Sequence, residues 1–460
     1  MKLFLFTSLY LSFLTFTLAV NPDCFPSCLA QQPPLGWRSW NAFADTIDQS
    51  MIQAQVDGLV LRRNPIDLGK KESSRMLKLP SFNYDNQQLS NAVSLFDLGY
   101  TRIGIDDGWQ ACGMGTNGSF HDASGHYMYN FTRFPNMTAL VSYANSLNVI
   151  MDSYHNNDGC CEYGKVGPYY TNDVQDFIKE GFRGVKTDNC GPGRSTTEWA
   201  LTMAKNVTGV DILYENCNDN DPFRPTVNPD GSLDCPYHFY RTGSDNSPSW
   251  YTIISNLIQI NDFLNISQPM CWAYGDMLEV GAPAPFVATH CNGTQRLTYE
   301  QAQGHFGAWC VVSSPLILGF DMSNMTEYDT WWPIVSNTEA IAVNQLYNGE
   351  AGHLVAMSSS TYNGPVSMGC LCEATRPSFT LPTWSVWGKS LPNNQFAAIA
   401  LNTLLDTNAN FTITTEQLGF AAGATLQVRD IFAHEDLPAI TGTWNVNLGP
   451  SGSQFLLFSL

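Results

Sequence analysis

The 460-residue chain is 44% apolar and 12% aromatic, which supplies ample core material and excludes a disordered protein. Its 22 basic and 41 acidic side chains leave a formal charge of −19. A surface that acidic repels phosphate backbones and excludes nucleic acid as a partner. The length suits one large domain plus a smaller one, including a barrel of about 250 residues with an appendage.

Residues 1–19 read as a secretory signal peptide. Lys2 precedes an apolar run from Leu3 to Leu18, with a small-residue exit at Ala19. No second run of spanning length follows, so no membrane span is expected. The mature chain is expected to be secreted, or delivered to a lysosome or vacuole. Eight Asn-x-Ser/Thr sequons, at Asn117, Asn130, Asn136, Asn206, Asn265, Asn292, Asn324 and Asn410, agree with export. So do the 13 cysteines, an odd number that leaves at least one thiol without an internal partner. Spacing groups Cys24 with Cys28, Cys217 with Cys235 and Cys271 with Cys291, although spacing alone does not prove a pairing. There are no paired CxxC motifs and no HExxH, and the histidines are scattered, so neither a metal nor a cofactor is expected.

After the signal, Pro33 to Asn41 combines a proline stop, a strand and two tryptophans. Gln49 to Leu61 and Leu89 to Leu98 have amphipathic helical spacing, separated by a polar, basic insert from Arg62 to Lys78. Units then alternate. Strand Thr101 to Ile105 ends in Asp106-Asp107-Gly108-Trp109, and helix Met137 to Ser146 follows. Strand Val149 to Ser153 ends in Tyr154-His155-Asn156-Asn157, and helix Asp173 to Glu180 follows. The strand through Val185 carries Lys186 and Asp188, and helix Thr196 to Asn206 follows. Strand Asp211 to Tyr214 ends in Glu215-Asn216-Cys217. Strand His238 to Arg241 leads into Thr242-Gly243-Ser244-Asp245, then helix Tyr251 to Asn261. Segments near Met270 to Met277 and Val311 to Leu318 bring the strand count to about eight.

Such alternation predicts an α/β fold, a (β/α)8 barrel over 20–350, with polar residues gathered at the strand ends that form a barrel's active face. No glycine-rich dinucleotide fingerprint supports the open-sheet alternative. From Ala351 on, helical periodicity gives way to short β-rich runs at Gln395 to Leu401, Phe411 to Thr414, Thr425 to Val428 and Phe455 to Ser459. These predict an antiparallel β-sandwich over 351–460.

Lys186 and Asp188, two apart, project from one face of their strand. An isolated Lys-x-Asp is usually a structural ion pair. The acidic groups at neighbouring strand ends change that reading. A glycosidase needs two carboxyl groups about the scissile bond, one ionised to attack and one protonated to donate. Lys186 is expected to keep Asp188 ionised. Asp245 is expected in a more apolar or more acidic setting, although Arg241, four residues before it, opposes protonation unless it chiefly binds substrate. Asp106 and Asp107 with Trp109 offer hydroxyl acceptors and an aromatic plate for a sugar.

Six ordered segments resemble glycoside hydrolase family 27, the α-galactosidase and α-N-acetylgalactosaminidase family. They are Leu35-Gly36-Trp37-Arg38-Ser39-Trp40-Asn41, Ile105-Asp106-Asp107-Gly108-Trp109, Lys186-Thr187-Asp188-Asn189-Cys190, Arg241-Thr242-Gly243-Ser244-Asp245, Asp276-Met277-Leu278-Glu279-Val280-Gly281 and the run from His305 to Leu318. The resemblance implies a retaining exo-glycosidase acting on galactose-containing oligosaccharides or glycoconjugates, with Asp188 as nucleophile and Asp245 as acid/base. It implies that Trp40, Asp106, Asp107, Tyr154, Lys186, Glu215, Arg241 and Asp276 line the sugar pocket, that Cys160 bridges to Cys190 with Cys161 as competitor, and that a homodimer is a possible assembly. The segment Thr425 to His434 matches the family's C-terminal domain.

Three segments depart from the family pattern. Tyr154-His155-Asn156-Asn157-Asp158-Gly159-Cys160-Cys161 resembles a divergent branch. Glu215-Asn216-Cys217-Asn218 replaces the usual Cys-Glu-Trp in the loop that reads sugar C2, leaving open whether Glu215 or Asn218 serves there. Gly275 replaces a common proline, which is expected to loosen the approach to Asp276. Within the family, a β-L-arabinopyranosidase or an α-N-acetylgalactosaminidase is the neighbouring reading. Outside it, the alternative is a non-catalytic secreted carbohydrate-binding homologue.

Overall fold

The structure is a computed structural model, and it describes residues 29–63, 77, 92–156, 169–188, 210, 212–217, 225–283, 296–365 and 378–460. The signal peptide, most of the basic insert, helix Thr196 to Asn206, the sequons Asn206 and Asn292, and Cys24, Cys28, Cys160, Cys161, Cys190 and Cys291 lie outside the described residues.

Eight parallel strands form one sheet: β1 (Leu35–Arg38), β2 (Arg102–Gly104), β3 (Ile150–His155), β4 (Gly184–Asp188), β5 (Leu213–Cys217), β6 (Phe239–Arg241), β7 (Trp272–Tyr274) and β8 (Leu316–Leu318). Their spatial order is β8-β1-β2-β3-β4-β5-β6-β7. Just beyond β7, Leu278 bridges Leu318 in parallel and its N–H donates to the Ile317 carbonyl at 2.8 Å, which brings the two ends of the sheet together. This is the expected barrel architecture. Segment Val311 to Leu318 divides differently from the expectation: Val311 ends a helix, Ser313 turns the chain at φ 51°, and only Leu316–Leu318 is strand.

Helices cover the outside of the sheet. In α1 (Gln49–Val60) the Asp48 carboxylate caps the Met51 N–H at 2.8 Å, and Ile52, Val56 and Leu59 face the core. Helix α2 (Met137–Ser146) is capped by Asn136 and buries Met137, Leu140, Val141 and Ala144. Helix α3 (Tyr170–Glu180) buries Val174 and Phe177 and stops at left-handed Gly181. Helix α4 (Trp250–Ile260) follows β6, and α5 (Tyr299–Val311) opens with a Thr298/Gln301 capping box. No helix covers 92–98, the described part of the expected Leu89 to Leu98 helix. There Val93 exchanges backbone hydrogen bonds with Arg63, and Asp97 accepts from the Ser94 N–H, so the chain makes one turn only.

The barrel interior is charged, because side chains alternate along a strand. Gly184, Lys186 and Asp188 of β4 share one parity, in register with Leu213, Glu215 and Cys217 of β5. At the lower level Arg102 Nε donates to Asp152 Oδ2 at 2.9 Å and its Nη2 to Oδ1 at 2.5 Å, a bidentate buried pair.

The C-terminal region is antiparallel. A six-stranded sheet contains His353–Met357, Trp384–Leu391, Gln395–Asn402, Ser453–Ser459, Thr425–Asp430 and Glu435–Thr441 in that spatial order. Two ribbons, Thr361–Pro365 with Ser378–Pro382 and Ala409–Thr414 with Thr443–Leu448, complete it. It is fixed to the barrel by ionic contacts as well as apolar ones. Buried Lys389 donates to Ser313 Oγ at 2.7 Å and the Val343 carbonyl at 2.8 Å, and Arg429 grips Glu339 at 2.6 and 2.8 Å.

Candidate active site

The polar groups named from sequence gather at the C-terminal ends of β1 to β7, the face where a barrel presents its reactive groups. Asp106, one residue beyond Ile105 at the end of β2, is 2% exposed. Its Oδ2 accepts from Lys186 Nζ at 2.8 Å and its Oδ1 from the Asp107 N–H at 2.9 Å. The hydrogen-bonded ion pair of Lys186 is thus with Asp106, while the Asp188 charge adds to its attraction. Burial opposes the Lys186 charge, but Asp106, then Cys217 and Asp188, outweigh it and hold the ammonium pKa well above the usual lysine value.

Asp188, at the end of β4, is half-buried and accepts the Tyr154 hydroxyl at 2.7 Å on Oδ2. Asn156 Nδ2 in turn donates to that hydroxyl at 3.0 Å. Tyr154 is itself 1% exposed, with its hydroxyl on the carboxylate. Asp107 is half-buried, and burial and then the adjacent Asp106 raise its pKa.

Across the face, Arg241 holds two acids: its Nη2 lies 3.0 Å from Asp245 Oδ1 and its Nη1 3.2 Å from Asp276 Oδ1. The Asp245 side chain is 58% exposed, so its surroundings are wet and acidic, not apolar. Asp276 is fixed further by the Asn246 N–H, 2.7 Å from its Oδ2. Burial raises its pKa, with Arg241 opposing. The glycine at 275 does not loosen this segment. A Cβ there would sit 2.7 Å from Trp309 Cζ2, and the Gly275 N–H donates to Ser314 Oγ at 3.2 Å. Packing against Trp309 excludes the larger residue.

Three sequence expectations change. Glu215 is 2% exposed, and its Oε2 lies 2.5 Å from Arg38 Nη2. It is thus committed to a cation that the sequence did not single out. Trp109 is 1% exposed among Phe120, Tyr127, Tyr129 and His155, with its indole N–H on the Tyr154 carbonyl. It is core and offers no plate to a sugar, whereas Trp40, beginning a single helical turn after β1, is half-buried. Cys235 pairs with Cys271, with Cα atoms 6.1 Å apart, while Cys217 is a free, buried thiol. The expected pairs Cys217 with Cys235 and Cys271 with Cys291 are therefore both replaced. The hairpin Thr226–Val227/Leu233–Asp234 carries Cys235 toward the base of β7, and Cys217 remains among the interior groups at the end of β5.

Cys217 lies at the centre of the cluster. It is the Cα partner of Asp188 in the β4/β5 register, and it accepts from Arg241 Nη1 at 3.3 Å. Burial and then the Asp188 charge push its pKa well up; Lys186 and Arg241 oppose, and Asp245 adds to the rise. The charges of Asp188 and Asp245 both act on this thiol.

Carboxylates from separate strand ends, with basic partners, are the equipment a glycoside hydrolase needs at this face of a barrel. The family model described as Alpha galactosidase A matches residues 82–346, and that described as Alpha galactosidase C-terminal beta sandwich domain matches 382–458. An α-galactosidase of Cyamopsis tetragonoloba is 25% identical over 426 residues, covering 90% of this chain and 83% of the relative. α-Galactosidase I of Mortierella vinacea superposes with a TM-score of 0.66 at 21% identity, covering 94% of this chain and 97% of that one. A family 27 β-L-arabinopyranosidase of Geobacillus stearothermophilus, in complex with arabinose, gives a TM-score of 0.67 at 15% identity, covering 94% and 98%. The chain belongs to the α-galactosidase family, glycoside hydrolase family 27.

Proposed function

We propose that the protein is a secreted, retaining exo-α-galactosidase, with residues 20–350 as the catalytic unit. The observation that carries this reading is the gathering of Asp106, Lys186, Asp188, Arg241, Asp245 and Asp276 at the C-terminal ends of the barrel strands. Asp188 attacks the anomeric carbon while protonated Asp245 gives its proton to the leaving oxygen. A galactosyl ester forms on Asp188. Asp245, now ionised, takes a proton from water, which attacks the ester and frees both galactose and Asp188. The Tyr154 hydroxyl orients the Asp188 oxygen. Asp106, Asp107, Lys186, Arg241 and Asp276 supply the charged hydrogen-bonding groups for the sugar hydroxyls, beside Trp40. Glu215 is left out of that set because Arg38 occupies it.

The arabinopyranoside reading stays alongside because that sugar shares galactose's ring stereochemistry and lacks only the C6 group. Release of p-nitrophenol from the α-galactoside, the α-N-acetylgalactosaminide and the β-L-arabinopyranoside decides between them. The α-galactoside is expected to have the highest kcat/KM. Preference for either other sugar would reassign the substrate. Galactose binding without turnover of any of the three would make the chain a binding protein.

A further inference from the structure

We propose that Arg38 and Glu215 form a positioning pair for Asp106, and that neither touches the substrate. The inference rests on the galactosidase reading, in which Asp106 binds a sugar hydroxyl. Arg38 ends β1 and crosses the barrel interior to β5, where its Nη2 meets Glu215 Oε2 at 2.5 Å. The crossing requires Gly104 on β2. A Cβ there would lie 3.0 Å from Arg38 Cζ and 3.1 Å from its Nη1. On the way the guanidinium passes the sugar-binding carboxylate, with Nε 3.9 Å from Asp106 Oδ2. That is too long for a hydrogen bond, so Arg38 acts on Asp106 through its charge.

Asp106 Oδ2 therefore sits between two cations, Lys186 in contact and Arg38 behind it. The Asp106 N–H donates to Ser39 Oγ at 2.9 Å, and Ser39 is the residue after Arg38. One segment of β1 thus fixes both the backbone and the field of the binding group. Glu215 completes the arrangement as counter-ion. Burial would push the Arg38 pKa down, but Glu215, then Asp106 and Asp152, raise it above the usual arginine value. Without Glu215, a second cation beside Lys186 would stand uncompensated in the interior.

A buried ion pair is rarely kept for stability, since apolar groups of similar volume often do as well or better. This supplies a test that separates positioning from scaffolding. The double variant R38M/E215M leaves neither partner as an unpaired charge, so its urea midpoint should equal or exceed the parent's. Its KM for p-nitrophenyl α-galactoside should rise about tenfold, with kcat changed far less, because what is lost is ground-state and transition-state binding alike. Arg38→Lys keeps a positive charge near Asp106 but not the reach to Glu215, and its KM should fall between those of the parent and the double variant. A galactose isotherm should rank the three proteins in the same order. Equal KM in all three would overturn the proposal and make the pair scaffold only. A parent protein that neither binds galactose nor turns over the galactoside would overturn the galactosidase reading, and this inference with it.

Discussion

Asp188→Asn is expected to lower kcat on an aryl α-galactoside by on the order of a thousandfold or more, while galactose affinity stays within a few-fold of the parent. The amide has the carboxylate's shape, and its oxygen accepts the Tyr154 hydroxyl as Asp188 Oδ2 does at 2.7 Å. It also leaves Lys186 with its partner Asp106, so no buried ammonium is stranded. What disappears is nucleophilicity. A thousandfold corresponds to about 4 kcal/mol of activation free energy, far more than a displaced hydrogen bond supplies. Turnover and an equilibrium isotherm, measured on the same preparation, check the two halves of the expectation. A variant that keeps even a tenth of the parent's kcat would remove Asp188 from the role of nucleophile.

Gly184→Ala is expected to cost substantial stability through a single methyl group. At an ordinary strand position, replacing glycine stabilises a protein by about 0.4–1 kcal/mol, because the unfolded chain has fewer conformations to lose. Here the added Cβ would overlap Asp152 Oδ1 and lie 2.6 Å from Arg102 Nη2. The Arg102–Asp152 pair, tied also to the Arg183 carbonyl at 2.8 Å, has to be pushed apart inside the barrel. Leaving a buried charge wholly uncompensated costs about 3–5 kcal/mol, and forcing this pair apart costs a part of that. Gly449→Ala is the control, since a Cβ there meets nothing within 4 Å. Urea midpoints should fall sharply for the first and hold for the second. Equal midpoints would show that the interior charges are not load-sharing parts of the fold.

The same glycine marks the limit of what the sequence discloses. Strand positions were legible because polar residues interrupt apolar runs at strand ends, and the two-residue spacing of Lys186 and Asp188 fixes a common face. Helices α1 and α2 were legible from apolar periodicity. Not legible was anything decided across the barrel. Arg38 stands 177 positions from Glu215, and Arg102 stands 50 from Asp152. Nothing local says that Gly104 and Gly184 leave room for these side chains. Trp109 misled because its neighbours Asp106 and Asp107 suggested a sugar platform, whereas its indole turns into the aromatic cluster below. Cysteine spacing misled for a related reason. Cys235 and Cys271 are 36 residues apart, yet the chain returns between neighbouring strands and brings them together. One signal was available and unused: an arginine between two tryptophans in an apolar segment needs a buried acid, and Glu215 ends another strand of the same sheet.

The proposed double displacement makes one demand on the chemistry, that galactose leave with the anomeric configuration it had in the substrate. Proton NMR of the first sugar released from p-nitrophenyl α-galactoside, recorded before mutarotation, reads this directly. The α-anomer is predicted, as two inversions at Asp188 require. Initial β-galactose would mean that water attacks the sugar itself, and a covalent role for Asp188 would be excluded.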